Sequence, residues 1–400
     1  MTQYVPEGAL PVDAFASVGS RPFGIYVHVP WCSSRCGYCD FNTYVPGALE
    51  SASPNTFVAD AIAELGIARD LIGGRAVPVS TVFFGGGTPT LLPADDLVAV
   101  LDAIDSQFGL ARGAEVTTEA NPESVDAKYF DRLRSGGFTR VSLGMQSAAS
   151  SVLATLDRVH TPGRAVDAAR TARASGFDEV SLDLIYGAPG ETDEQWRQSI
   201  EAALTADPTH ISAYSLIVEQ GTRMARQVSS GALFPADDDV LAHRYLMADD
   251  AFTDAGLEWY EVSNWARGGV DGSSFCRHNM GYWHNDDWWG VGPGAHSHVG
   301  NYRWWNHKHP GRCSASLAEG ELPIAGSEAL SQSDRELEDV MLRLRLAEGL
   351  PLDRVNSGQR HRVQELASDG LLDESQLTRG QLVLTRNGRL LADLVVRTLT

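Results

Sequence analysis

The chain has 400 residues, of which 43% are hydrophobic and 21% charged, and its formal net charge is −20. This length and apolar content allow two or three domains with a sizeable core, and the acidity argues against the broad basic face that a nucleic-acid partner needs. No apolar run approaches the ~20 residues of a membrane span, and five cysteines, three of them within residues 32–39, fit a reducing cytoplasm better than a disulfide framework.

Residues 1–20 contain Glu7 and Asp13 and lack a basic start and an apolar block, so they read as a flexible tail and not as a signal peptide. A repeated pattern follows. Short β-branched runs at 24–30, 81–86, 115–122, 140–147, 179–187 and 210–218 alternate with amphipathic stretches at 56–72, 94–107, 124–135, 163–175 and 193–205. Pro93 near a start, and Gly136, Gly137 and Gly176 after ends, punctuate the helices. Six strands alternating with helices predict parallel βα units. A TIM-type barrel, open or closed, and a doubly wound sheet both satisfy the pattern. Glu119, Gln146 and Asp183 fall late in apolar strands. In a βα barrel those strand ends face the active site, so the three form a candidate ring round a ligand.

The first of these strands leads into "PWCSSRCGYCDFNTY", residues 30–44, with the spacing Cys32-x3-Cys36-x2-Cys39. A structural zinc site needs a fourth ligand, which His28 is able to supply. A redox pair explains Cys36 and Cys39 but wastes Cys32. A four-iron cluster usually takes four thiolates. With three, one iron stays open to a small ligand, and Phe41 stands where a fourth cysteine would fall. "FFGGGTPT", residues 83–90, ends the second strand in three glycines that let backbone approach a ligand.

After about residue 225 the rhythm changes. Residues 259–309 hold seven of the nine tryptophans and six of the eleven histidines. Arg303, His307, Lys308, His309 and Arg312 make a small basic island suited to an anionic group or to solvent. The final stretch is helical and charged, and a short strand, a turn at Asn387-Gly388 and a last helix predict a winged-helix-like end. The expected division is a tail (1–20), a barrel (21–225), an α/β extension (226–325) and a helical C-terminal unit (326–400).

The cysteine loop and the glycine turn together resemble the radical S-adenosylmethionine (SAM) superfamily. Residues 21–310 are similar to its coproporphyrinogen oxidase group, which includes oxygen-independent oxidases and HemW-type haem chaperones. The resemblance implies a partial (β/α)6 TIM-type barrel. It implies a [4Fe–4S] cluster on Cys32, Cys36 and Cys39, with SAM on the open iron. It places Tyr26, Gly86, Gly87, Thr88, Glu119, Gln146, Arg158 and Asp183 at the cofactor, and has "GVGPGAHS", residues 290–297, close over it. Phe41, where the oxidases carry a further cysteine, and "CRHNMGYW", residues 276–283, resemble the chaperones. His278, Asn279, Tyr282 and Trp283 then become candidate haem contacts, with Cys276, His284, His296 and His298 as other iron ligands. The implied function is haem delivery to acceptor haemoproteins without coproporphyrinogen oxidase activity. The implied partners are an electron donor such as a flavodoxin or ferredoxin, and a second copy in a haem-dependent homodimer. Oxidative decarboxylation of coproporphyrinogen III is the alternative.

Overall fold

The six β-branched runs are strands, and the stretches between them are helices. The computed structural model describes residues 3–5, 10–11, 14–49, 53–73, 77–158, 161–269 and 272–400. A short β1 (Gln3–Val5) precedes β2 (Phe23–Val29), β3 (Val79–Gly86), β4 (Leu110–Ala120), β5 (Arg140–Gln146), β6 (Glu179–Tyr186) and β7 (His210–Ser215). From β2 to β7 every neighbour pairs in parallel and in chain order. That order decides between the two architectures, because a doubly wound sheet reverses at a switch point and a barrel does not. Right-handed crossovers then put the connecting helices on one side of the sheet. The helix Ala94–Phe108 shows how each is held. Its Leu97, Leu101 and Ile104 lie on one stripe and are buried, each such burial contributing about 1.5–3 kcal/mol.

The second half extends the same sheet. Strands β8 (Glu258–Glu261), β9 (Asn264–Ala266), β10 (Asp287–Val291), β11 (His296–Val299), β12 (Tyr302–Asn306) and β13 (Ile324–Ala329) complete a 13-stranded order, β1-β13-β12-β11-β10-β2-β3-β4-β5-β6-β7-β9-β8. The order has two ends, so the sheet is an open, partial barrel. Strand β10 lies parallel to β2, with Asp287 opposite Phe23 and partners 264 residues apart in sequence, so residues 226–325 share one sheet with residues 21–225. Much of the tryptophan clustering is core. Trp265, Trp289 and Trp304 are fully buried.

Two expectations need correction. The first 20 residues are not a loose tail where described. Strand β1 pairs with β13, and Ala14, Phe15 and Val18 are buried, with Phe15 stacked on Trp289 at 5.7 Å. An apolar face with a tryptophan to cover outweighs the polar composition around it. Asn387-Gly388 is not a hairpin turn either. It lies inside the helix Arg386–Leu390, whose first turn the Thr385 hydroxyl caps. Gly388 is small there because a Cβ would sit 2.0 Å from the Leu371 carbonyl oxygen. The C-terminal unit has its own core, including Val340, Leu344, Val363 and Val395, and a two-stranded sheet, β14 (Leu350–Pro351) with β15 (Gln381–Leu382).

Helix Pro54–Ile72 carries one buried acid to the C-terminal ends of β10 and β12. Glu64 accepts from the Gly292 N–H at 2.8 Å and from Asn306 Nδ2 at 2.6 Å. Burial pushes its carboxyl from 4.5 up to about 7. The folded protein therefore keeps a proton that the unfolded chain releases above 4.5. The resulting stabilisation is complete below the unfolded value and is lost as pH rises through about 7. Glu64→Gln keeps the shape and cannot titrate. Between about pH 5 and about pH 8 the urea midpoint of the parent should fall more than that of the variant, and equal falls would exclude Glu64 as the source.

Candidate cofactor site

Beyond β2 the chain turns into the cysteine loop, which backbone bonds tie down at both ends. The Cys32 N–H donates to the Tyr44 carbonyl at 3.0 Å and the Tyr44 N–H to that of Pro30 at 2.7 Å. The Gly37 N–H reaches the Leu156 carbonyl at 3.3 Å, and the Gly37 carbonyl accepts from Met224 N–H at 2.8 Å. Cys32, Cys36 and Cys39 are free, partly exposed thiols on one cavity of about 590 Å3 at the C-terminal ends of the barrel strands.

The same cavity gathers Gly86, Gly87, Thr88, Glu119, Gln146, Arg158 and Asp183, which lie far apart in sequence. Thr88 Oγ1 approaches Cys32 Sγ at 3.6 Å. Arg158 points Nη1 at Cys36 Sγ (3.4 Å) and donates Nε–H to Gln146 Oε1 (2.8 Å). Gln146 holds a left-handed φ of 59°, a strain of about 1–3 kcal/mol that clusters at functional sites. The glycine turn differs from its reading in one respect. Its N–H groups are spent on the protein: Gly86 on Glu119 Oε2 (3.1 Å), Gly87 on the Val29 carbonyl (2.8 Å) and Thr88 on that of Trp31 (2.8 Å). Any ligand contact from this turn falls to its carbonyl oxygens, which suit an ammonium group.

Asp183 is half-buried on the cavity wall and accepts from the hydroxyl of Ser142 at 2.8 Å, with Ser181 and Ser212 also bonded to it. Burial raises its pKa. Burial, with Asp183 close by, also lifts Glu119 to about 7. The serines were missed, although their signal is in the sequence. Each is third in its strand (or in its apolar core) in "RVSL", "EVSL" and "HISA". Register pairs Ser142 with Ser181, and Asp183 with Ser212.

Tyr26 is not on the cavity wall. Its ring stacks on Phe83 and His278, and its hydroxyl meets His28 Nδ1 at 3.0 Å. His28 spends its other nitrogen on the Asn42 carbonyl (3.0 Å), which removes it as a fourth zinc ligand. Among the described residues no group of His, Cys, Asp and Glu converges on a single metal ion. A four-iron cluster makes a different demand, since each thiolate takes its own iron. Three thiols on one cavity, with Thr88 and Arg158 able to donate to the sulfurs, fit that demand.

The radical SAM superfamily model matches residues 26–203. The chain is 51% identical to the Heme chaperone HemW of Mycobacterium tuberculosis over 98% of both chains, and 32% identical to that of Escherichia coli over 88% of both. This chain belongs to the HemW family of radical SAM proteins. Coproporphyrinogen III oxidase (HemN) of Escherichia coli superposes with a TM-score of 0.80 over 97% of this chain and 91% of that one, at 22% identity, and so shares the fold.

In this HemW-family chain the 276–283 segment forms the barrel floor. Helix Arg277–Trp283 lies beneath the cavity, and its residues part company. Asn279 lines the cofactor cavity. His278 and Tyr282 line a second cavity of about 300 Å3 with Gly24, Thr81 and Trp288. Trp283 bonds to Glu261. His278 is 3% exposed, and both ring nitrogens are engaged, Nδ1 with Thr81 Oγ1 at 2.9 Å and Nε2 with the Tyr282 hydroxyl at 2.7 Å. Burial drops its pKa to about 3, so the ring is neutral. This geometry presents neither nitrogen to an iron. Of the other candidates, His284 pairs with Glu348 at 2.7 Å, Cys276 is buried against Glu115 at 3.8 Å, His296 stacks on Trp305, and His298 is buried edge-on to Trp288. The basic island is also partly committed. Arg303 forks onto Glu338 at 2.7 and 2.8 Å, and His309 caps the helix that begins at Pro310.

A doubly bonded buried imidazole carries stability. His278→Ala should cost about 2–4 kcal/mol by leaving Thr81 and Tyr282 unpaired over a cavity, read as a lower urea midpoint with no haem present. A midpoint equal to that of the parent would mark His278 as dispensable to the fold.

Proposed function

We propose that this chain is a haem chaperone that binds haem and delivers it to acceptor haemoproteins, and that it carries a [4Fe–4S] cluster and SAM in the barrel mouth. The observation that carries the reading is the full-length similarity to Heme chaperone HemW. Phe41 supports it. The side chain is 58% exposed at the cavity, where a cysteine would suit the oxidase alternative.

Cys32, Cys36 and Cys39 hold the cluster, and a cluster with SAM on its open iron supplies one-electron reduction of a sulfonium. The protein binds and orients. Arg158 offers its guanidinium to a carboxylate. Glu119 and the carbonyls of Gly86 and Gly87 take an ammonium. Asp183, fixed by three serines, accepts from ribose hydroxyls. Thr88 and Arg158 steady the sulfurs. Haem contacts are assigned to the floor segment, His278, Asn279, Tyr282 and Trp283, and an iron bond from His278 requires release from Thr81 and Tyr282. The proposal includes a cytoplasmic setting, a flavodoxin- or ferredoxin-like electron donor, a haem-dependent homodimer and a packing role for a winged-helix-like unit at 326–400. No helix among the described residues is long and apolar enough to cross a membrane.

Any one of Cys32→Ala, Cys36→Ala and Cys39→Ala should lose the brown chromophore after anaerobic reconstitution with iron and sulfide. A colourless parent with one tightly held zinc would refute the cluster. The choice between chaperone and oxidase rests on one pair of assays. The reconstituted parent, given coproporphyrinogen III, SAM and a reductant without oxygen, should yield no protoporphyrinogen. Loaded with haem, it should transfer haem to an acceptor apoprotein. Multiple turnovers of the porphyrinogen would restore the oxidase reading.

A further inference from the structure

The acidity of the chain is uneven. Residues 288–318 contain no aspartate or glutamate, and residues 14–49 contain one, Asp40, although the chain has 52 such residues in 400. The fold joins these two stretches. Asn42, just past the third cysteine, donates Nδ2–H to the carbonyls of Lys308 at 2.8 Å and Pro293 at 2.9 Å. The Tyr44 hydroxyl donates to the same Lys308 carbonyl at 3.1 Å, and its ring meets the His309 ring edge-on at 6.4 Å. The Tyr44 carbonyl also accepts the Cys32 N–H. One residue therefore ties the thiol loop to the start of the helix Pro310–Ala318.

This seam carries cations that the fold does not use. Arg35, Lys308 and Arg312 are exposed, and none has a carboxylate partner among the described residues. Arg303 differs, being held by Glu338. Two carboxylates lie on the same elements. Asp40 is exposed in the loop, and Asp60, on the helix Pro54–Ile72, is half-buried and accepts from the Ser314 hydroxyl at 2.6 Å. The loop also exposes two apolar side chains, Phe41 at 58% and Val45 at 38%. Exposed apolar groups among unpaired charges are the materials of a protein-binding patch.

Position and charge select the partner. Phe41 is two residues beyond Cys39, so a protein seated on this face lies against the loop that holds the thiols. A cluster there needs one electron for each reduction it performs, and that electron comes from outside the chain. On a chain of net charge −20 the overall field repels an acidic protein, so an acidic carrier needs a local basic patch to be steered in. Phe41 and Val45 suit a flavin, whose dimethylbenzene edge is apolar, better than a cluster sheathed in backbone. One electron then passes from an anionic flavin hydroquinone to the oxidised cluster. It leaves the neutral semiquinone, and no proton moves. Redox encounters of this kind are small and transient, and such a patch is large enough for one.

We propose that Arg35, Lys308 and Arg312, with Phe41 and Val45, form the docking face for a small acidic flavin carrier, a flavodoxin, that reduces the cluster. The assignment rests on the cluster reading above and gives its electron donor a place. The probe is a flavodoxin. Its oxidised form is titrated calorimetrically into the anaerobically reconstituted protein at low salt. Its hydroquinone is then mixed with the protein while the paramagnetic signal of the reduced cluster is followed. Lys308→Glu/Arg312→Glu should weaken binding and slow reduction roughly ten- to a hundredfold, and the deficit should shrink as salt rises. Dithionite, which needs no docking face, should reduce the cluster of this variant within about twofold of the parent. Where charge reversal disturbs the cluster, Lys308→Gln/Arg312→Gln should show a smaller loss of the same sign. Lys128→Glu/Arg397→Glu makes the same charge change at exposed sites on other helices and should leave both readouts near the parent. An equal loss in that control would overturn the face, because net charge alone would explain it. Parent-like values in Lys308→Glu/Arg312→Glu would overturn it too. So would a defect confined to haem transfer, which would give the face to the acceptor haemoprotein. A parent that holds no cluster would overturn the cofactor reading and the docking face with it.

Discussion

The site depends on the close seam between the cysteine loop and the glycine turn. The N–H groups of Gly87 and Thr88 hold the carbonyls of Val29 and Trp31 at 2.8 Å each. The approach is so tight that a Cβ on Gly87 would sit 2.6 Å from the Trp31 oxygen. Gly86 adds a left-handed φ of 104°, with the His28 ring where a Cβ would be. These contacts hold the loop of three thiols against the end of β3. They add to the bonds that Tyr44, Leu156 and Met224 make with the loop, and fix its start against the glycine turn. The glycines thus act first on the fold, and only through it on a ligand.

Burying so many polar groups in a barrel mouth is costly, and the structure offsets the cost locally. Asp183 is surrounded by serine hydroxyls. Glu119 takes a backbone N–H, and Gln146 is paired with Arg158. At the floor the Glu115–Arg140 pair is fully enclosed. Such pairs add little net stability, and removing one partner is severe, because a charge is left buried alone. Their use here is positional. They tie residues 274–278 to β4 and β5, the strands that carry Glu119 and Gln146 above.

The barrel consequently has two levels with one wall between them. The upper level holds the thiols and the polar ring, and the lower is the smaller cavity under the helix Arg277–Trp283. His278 belongs to the lower level and Asn279 to the upper. A chaperone that uses both must move this helix or work through it. The bond of His278 to Thr81 at 2.9 Å, and those of the Arg277 and His278 N–H groups to Glu115 at 3.2 and 3.0 Å, resist moving it.

The sequence by itself determined the βα repeat, the cysteine loop and the ring of Glu119, Gln146 and Asp183, because strand periodicity and short motifs are local properties, while Arg158 came only from the family resemblance. Register turned those local facts into one cavity. Three other matters were decided only in three dimensions. Composition marked the first 20 residues as loose, yet Phe15 finds Trp289, a partner 274 residues away that no local signal announces. Six neighbouring residues read as one haem motif, yet a helix turns successive side chains about 100° apart, so Asn279 and His278 face different cavities. Arg140 gave no functional signal as the first residue of an apolar strand. Its meaning depends on Glu115, Thr117 and Ser274, and only the closing of the sheet brings these together.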